Sequence, residues 1–153
     1  MSKAGINALI QLFGILGIIG SLIFVGLEMR QSQRIAIAGQ QQGRAEIASN
    51  FMSAFLENGL DFQTVYFRQD PNHGFTDEEI AFRNMMHNSW FLYENDFYQY
   101  TQGLMDDATW AAKLSGIQII YDFCEAREIY DARSPVFSQA FRAVVLSLPD
   151  KCS

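Results

Sequence analysis

Two histidines and two cysteines are the side chains of this 153-residue chain best suited to chemistry at neutral pH. His87 has Arg83 and Glu94 in helical register, an arrangement that could hold an imidazole base beside a carboxylate. A di-metal centre in a helical bundle needs Glu-x-x-His on two helices, and Asn84 stands three residues before His87. His87 therefore reads as a hydrogen-bonded or exposed helix histidine rather than a ligand. His73, inside Asp70-Pro71-Asn72-His73-Gly74, reads as an exposed turn residue. Cys124 and Cys152 form no CxxC pair and have no histidine at zinc-finger spacing. They read as free thiols, Cys124 on an apolar stripe and Cys152 in a frayed tail, with a disulfide open to a domain that faces the periplasm.

The remaining motifs exclude more than they offer. No G-x-S-x-G elbow, phosphate loop or dinucleotide fingerprint occurs. The acidic groups Asp77-Glu78-Glu79 and Asp106-Asp107 sit at expected helix starts without EF-hand spacing, so capping explains them. The pattern predicts no catalytic residue, no cofactor and no metal site. One stretch keeps a functional alternative: Trp90, Tyr93, Glu94, Phe97 and Tyr98, with Tyr100, could line a surface for a flat apolar ligand or a partner. Such aromatic stripes more commonly pack a core.

These residues must be positioned by helices. Residues 4–27 carry no charge. At about 1.5 Å per residue they reach roughly 36 Å, enough for a hydrocarbon layer of about 30 Å. The run is longer than a signal peptide's apolar core, and the nearest A-x-A, Ala36-Ile37-Ala38, follows Glu28, Arg30 and Arg34. It reads as an uncleaved single-pass anchor. Gly14, Gly17 and Ser21 share a 3–4 spacing that would let a second helix approach closely in lipid. The organisation expected is an anchor over residues 1–28, a Gln-rich stalk over 29–43 with a bend at Gly39 or Gly43, and a helical domain over 44–153. Arg30, Arg34 and Arg44 outnumber Lys3 and the terminal amine by one charge, which points the domain to the cytoplasm. Without the anchor's Lys3 the domain has 10 basic and 17 acidic residues, and no basic run, which argues against nucleic acid.

The domain reads as all-α, with four or five helices. Asn58-Gly59 is a stop, and a short helix is expected over 61–68. Thr76 with Glu79 makes a capping box for a long aromatic helix through Phe82, Met86, Trp90, Tyr93, Phe97 and Tyr100, ended by Gly103. Asp106 caps the next, with Trp110, Leu114, Ile117, Tyr121 and Cys124 as its stripe. Residues 125–133 alternate charge and end in a turn. Ser134 with Pro135 then starts a last helix through Phe137, Phe141, Val144 and Leu148, closed by Pro149.

The junction Phe24-Val25-Gly26-Leu27-Glu28-Met29-Arg30-Gln31-Ser32, the segment Glu94-Asn95-Asp96-Phe97-Tyr98 and the start Ser134-Pro135-x-Phe137 resemble an uncharacterised family of bacterial membrane-anchored helical proteins. That family has an aliphatic-x-Leu-Gln-x-Arg-Gln stretch after its anchor; here Glu28 replaces the Gln. The resemblance implies a bacterial inner-membrane protein and brings no catalytic residue. The expectation is a non-enzymatic interaction module or accessory subunit, touching lipid through residues 4–27 and protein through Gly14, Gly17 and Ser21. The alternative is a tethered sensor or carrier of a small apolar ligand.

Overall fold

A computed structural model describes residues 3–67 and 74–152. His73 and the turn around Pro71 lie outside the described residues. The fold is all-α, with no strand among the described residues. Among the described residues six α-helices follow in order: α1 (Lys3–Glu57), α2 (Phe62–Tyr66), α3 (Asp77–Thr101), α4 (Asp107–Tyr121), α5 (Arg127–Arg133) and α6 (Gln139–Leu146). Short 3₁₀ turns, Cys124–Ala126 and Ser134–Val136, precede α5 and follow it.

The chain divides into two units, Met1–Ile37 and Ala38–Ser153. In the first, every side chain described between positions 5 and 37 is exposed, including Ile10, Phe13, Leu22 and Phe24. This one apolar helix is long enough to cross a membrane, a property that membrane spans and signal sequences share. A Cβ added at Gly14 or Gly17 would meet nothing within 4 Å, and Ser21 Oγ donates to the Ile18 carbonyl at 3.2 Å. The helix α1 continues through Gly39 and Gly43.

The second unit is built by helix faces around one core. α1 contributes Ala38, Met52 and half-buried Ala45, Ala48 and Phe55, at the 3–4 spacing of one helix face. Met86 and Trp90 of α3 meet Ile117, Ile120 and Tyr121 of α4, Ile129 and Tyr130 of α5, and Phe141 and Val145 of α6. Local chemistry sets the helix ends. Thr76 and Glu79 form the reciprocal capping box, with Glu79 accepting from the Thr76 N–H at 2.7 Å. Asp106 accepts from the Thr109 N–H at 2.9 Å. Gly59 and Gly103 follow α1 and α3 at φ 63° and 71°, conformations that a side chain disfavours.

Three expectations are corrected. Cys124 is exposed at a 3₁₀ turn and joined to Cys152 in a disulfide, with Cα atoms 5.3 Å apart. The two residues are 28 apart in sequence, and their pairing is the alternative that the sequence left open beside free thiols. Residues 125–133 hold α5, whose buried Ile129, Tyr130 and Arg133 share one face despite the surrounding charges. The last helix starts at Ser138, which accepts from the Phe141 N–H at 3.3 Å; Ser134-Pro135 opens a 3₁₀ turn instead.

Candidate functional site

The aromatic helix α3 divides its side chains between the core and a cavity. Trp90 is 1% exposed, its ring 5.1 Å from that of Tyr130 and 5.9 Å from that of Phe137. Phe97 lies between Trp110 and Phe141, at 5.7 and 5.5 Å. Tyr93 fills the space left by Gly116 of α4, where a Cβ would stand 3.0 Å from the Tyr93 Cζ. Glu94 accepts from the Ser138 N–H at 3.0 Å, tying α3 to the start of α6. Burial pushes its carboxyl above the usual range, against the pull of that bond and of Arg133. Tyr98 is half-buried. Of these five residues, none lines the cavity described next.

That cavity, of about 400 Å³, is lined by Ala48, Phe51, Phe62, Tyr66, Phe67, Phe91, Arg133 and Val136. Its size lies in the range of about 300–1,000 Å³ common for small-molecule sites. Asp61 positions one wall by capping α2, accepting from the Thr64 N–H at 2.8 Å and from its hydroxyl at 2.7 Å. Asn84 of α3 holds the same segment, accepting from the Phe62 N–H at 2.9 Å and donating to the Leu60 carbonyl at 2.8 Å. Phe62 can then stack on Tyr66 at 4.9 Å and meet Phe51 and Phe67 edge-on, each at 6.3 Å.

Among the described lining residues Arg133 supplies the only formal charge. It is 4% exposed, with its guanidinium carbon 3.5 Å from the centre of the Phe91 ring. Its enclosed Nε has no hydrogen-bond partner, and the side chain makes no ion pair among the described residues. Burial pulls its pKa down to about 10, with Glu94 and Tyr66 opposing the fall, so the group is cationic at neutral pH. A buried, unpaired cation is a costly arrangement.

His87 lies behind the Phe62 wall, fully buried, its ring 4.8 Å from that of Phe62. This corrects the expectation of a hydrogen-bonded or exposed histidine, since neither ring nitrogen has a hydrogen-bond partner among the described residues. Burial, reinforced by Arg133 and Arg83 and opposed by Asp61, lowers its pKa to about 3. The neutral ring is not brought to Glu94 by any hydrogen bond.

A second hollow, of about 310 Å³, is lined by Phe75, Glu79, Phe82, Arg83, Glu125 and Glu128. Its cation is engaged: Arg83 Nε donates to Asp61 at 2.8 Å and Nη1 donates to Glu128. Burial would push the Asp61 carboxyl up, but the bonds from Arg83 and Thr64 outweigh it and hold it below its usual value. No group of three or more metal-ligating side chains occurs among the described residues.

Sequence reasoning passes over Arg133 because charges surround it. The available signal is its spacing from Ile129 and Tyr130, which places it on the apolar face of a short helix. No family model, curated protein or solved structure matches this chain.

Proposed function

We propose that this chain is a single-pass, membrane-anchored binding module, non-enzymatic, that holds a small apolar ligand in the Arg133 cavity as a sensor or carrier. The observation that carries this reading is an aromatic-walled space of about 400 Å³ within the helical domain. Ligand sites are commonly such concave, mostly apolar spaces with few polar groups. Residues 4–27 would be the uncleaved anchor in a bacterial inner membrane, as the resemblance at the anchor junction suggests. The Cys124–Cys152 disulfide supports a domain on the oxidising, periplasmic side, against the one-charge margin that favours the cytoplasm.

The test is binding of the neutral apolar fluorophore N-phenyl-1-naphthylamine to the full chain in phosphatidylcholine nanodiscs, with empty nanodiscs subtracted. Saturable binding at one site per chain is expected. Val136→Trp, placed at a lining residue that is 72% exposed, should abolish it without unfolding the domain. Absence of saturable binding would remove the reading.

A second reading rests on the anchor: a self-assembling module or accessory subunit joined through Gly14, Gly17 and Ser21. The open space at both glycines supports it. Crosslinking in native membranes distinguishes the two, since a strictly monomeric chain without a partner contradicts docking and leaves ligand binding intact.

A further inference from the structure

We infer that the cavity's ligand is an apolar monocarboxylate, its headgroup bound by Arg133 and its body by the aromatic walls; this rests on the ligand-binding reading above. Among the described residues the domain buries two arginines, and only one of them forms ion pairs. Arg83 has Asp61 and Glu128. Arg133 has neither a hydrogen bond nor an ion pair among the described residues, although it is 4% exposed.

The acids that act on this region are already committed. Glu94 accepts from the Ser138 N–H, and Asp61 accepts from Thr64 and Arg83. Phe91 covers a face of the guanidinium at 3.5 Å and Nε is enclosed, which leaves the terminal Nη groups for an acceptor. Those donors match the two oxygens of a carboxylate. Among the described residues no second cation lines the space, so it matches one negative charge better than a phosphate dianion. Phe51, Phe62, Tyr66 and Phe67 then offer the rest of the ligand an apolar wall. Two sources share this chemistry: an alkyl carboxylate derived from lipid, and a free aryl-alkyl carboxylate.

The experiment measures displacement of N-phenyl-1-naphthylamine from the full chain in phosphatidylcholine nanodiscs. Octanoate is compared with octanol, and 3-phenylpropanoate with 3-phenylpropanol. A charge-assisted bond in a buried site predicts that an acid displaces the probe at a concentration about tenfold or more below its alcohol. Arg133→Met should erase that preference while probe binding persists, and Arg133→Lys should keep part of it, because the charge remains and the fork is lost. A preference confined to octanoate identifies the alkyl source, and one confined to 3-phenylpropanoate the aryl source. Equal displacement by acid and alcohol, with the probe still bound, overturns the carboxylate and leaves the ligand-binding reading standing. Displacement by octyl phosphate but not octanoate also overturns it. Loss of probe binding in the wild-type chain would instead remove the ligand-binding reading, and this inference with it.

Discussion

Arg83 and Arg133 are buried to nearly the same degree, 7% and 4% exposed, and the protein treats them in opposite ways. Arg83 donates to Asp61 and Glu128 and lies 4.2 Å from the centre of the Phe75 ring. These partners raise its pKa despite the opposing effect of burial. Arg133 also faces an aromatic ring, yet burial dominates and lowers its pKa to about 10. The ring contact is therefore common to both, and the carboxylates are the difference. A guanidinium with its anions at hand ties α3 to α2 and α5, whereas one without them remains free to neutralise something from outside.

The strongest way to break this comparison is to remove the paired arginine. Arg83→Met leaves Asp61 fully enclosed with its Thr64 bonds but no counter-charge. Removing one partner of a buried pair costs about 3–5 kcal/mol. Guanidinium denaturation of the full chain in nanodiscs should show that loss for the folded domain. A change below about 1 kcal/mol would mean that the Asp61–Arg83 bond is not structural, and the contrast between the arginines would collapse.

The disulfide tests both arginine sites together, because α5 carries Glu128 at one end and Arg133 at the other. Cys124 lies just before α5, and Arg127 is anchored to the same C-terminal segment through Asp150 at 2.8 Å. For a separation of 28 residues, the chain-entropy argument predicts a loss of roughly 3–4 kcal/mol on removing the link. The double variant Cys124→Ser/Cys152→Ser should show it in the same denaturation. In whole cells the wild-type thiols should resist maleimide until a reductant is added, as an oxidising compartment requires. Thiols labelled without reductant would place the domain in the cytoplasm.

His87 reports the charge balance between the two sites, since both arginines depress its pKa and Asp61 opposes them. Its pKa in the folded protein, about 3, lies below the ordinary 6.5. The unfolded chain therefore binds a proton that the folded one refuses, so stability is complete above about pH 6.5 and falls as the pH drops toward 3. At pH 5 the loss relative to pH 7 should be about 2 kcal/mol. His87→Gln should flatten the slope between pH 5 and 7, whatever its effect on absolute stability. A slope unchanged in that variant would show that another group is responsible.

What could be read from the sequence is what neighbouring residues decide among themselves. Thr76 with Glu79, Asp106, Gly59 and Gly103 lie within a turn of the helix ends that they set, so their types announce those ends. Residues 125–133 concealed α5 because its buried face needs only Ile129, Tyr130 and Arg133, the last of which looks like a surface residue. Ser134 and Ser138 are both plausible caps by type, and the Pro135 turn decides between them only after the chain has folded. The cavity was least legible of all. Its walls come from α1, α2, α3, α5 and the turn that follows α5, so no stretch of sequence contains it. Trp90 and Phe97 belong to the helix singled out for a ligand, but they pack the core, and only Phe91 of α3 reaches the cavity.

The smallest expected effect is the most discriminating. Arg133→Met in the ligand-free protein removes a charge that no carboxylate holds in an ion pair; Glu94 loses its pull but keeps the bond from the Ser138 N–H. The substitution forfeits the contacts with Phe91 and Phe137, at 3.5 and 5.7 Å, worth up to about 2 kcal/mol when desolvated. Against that stands relief from burying a cation, which commonly makes apolar replacements neutral or stabilising. The two terms oppose each other, and the net change should stay within about 1 kcal/mol of zero in the denaturation that shows a large loss for Arg83→Met. Near-neutrality would mean that the fold does not need this cation, and that its retention at the wall of an apolar cavity serves binding. A loss as large as that of Arg83→Met would make Arg133 a structural residue and erase the difference between the two arginines.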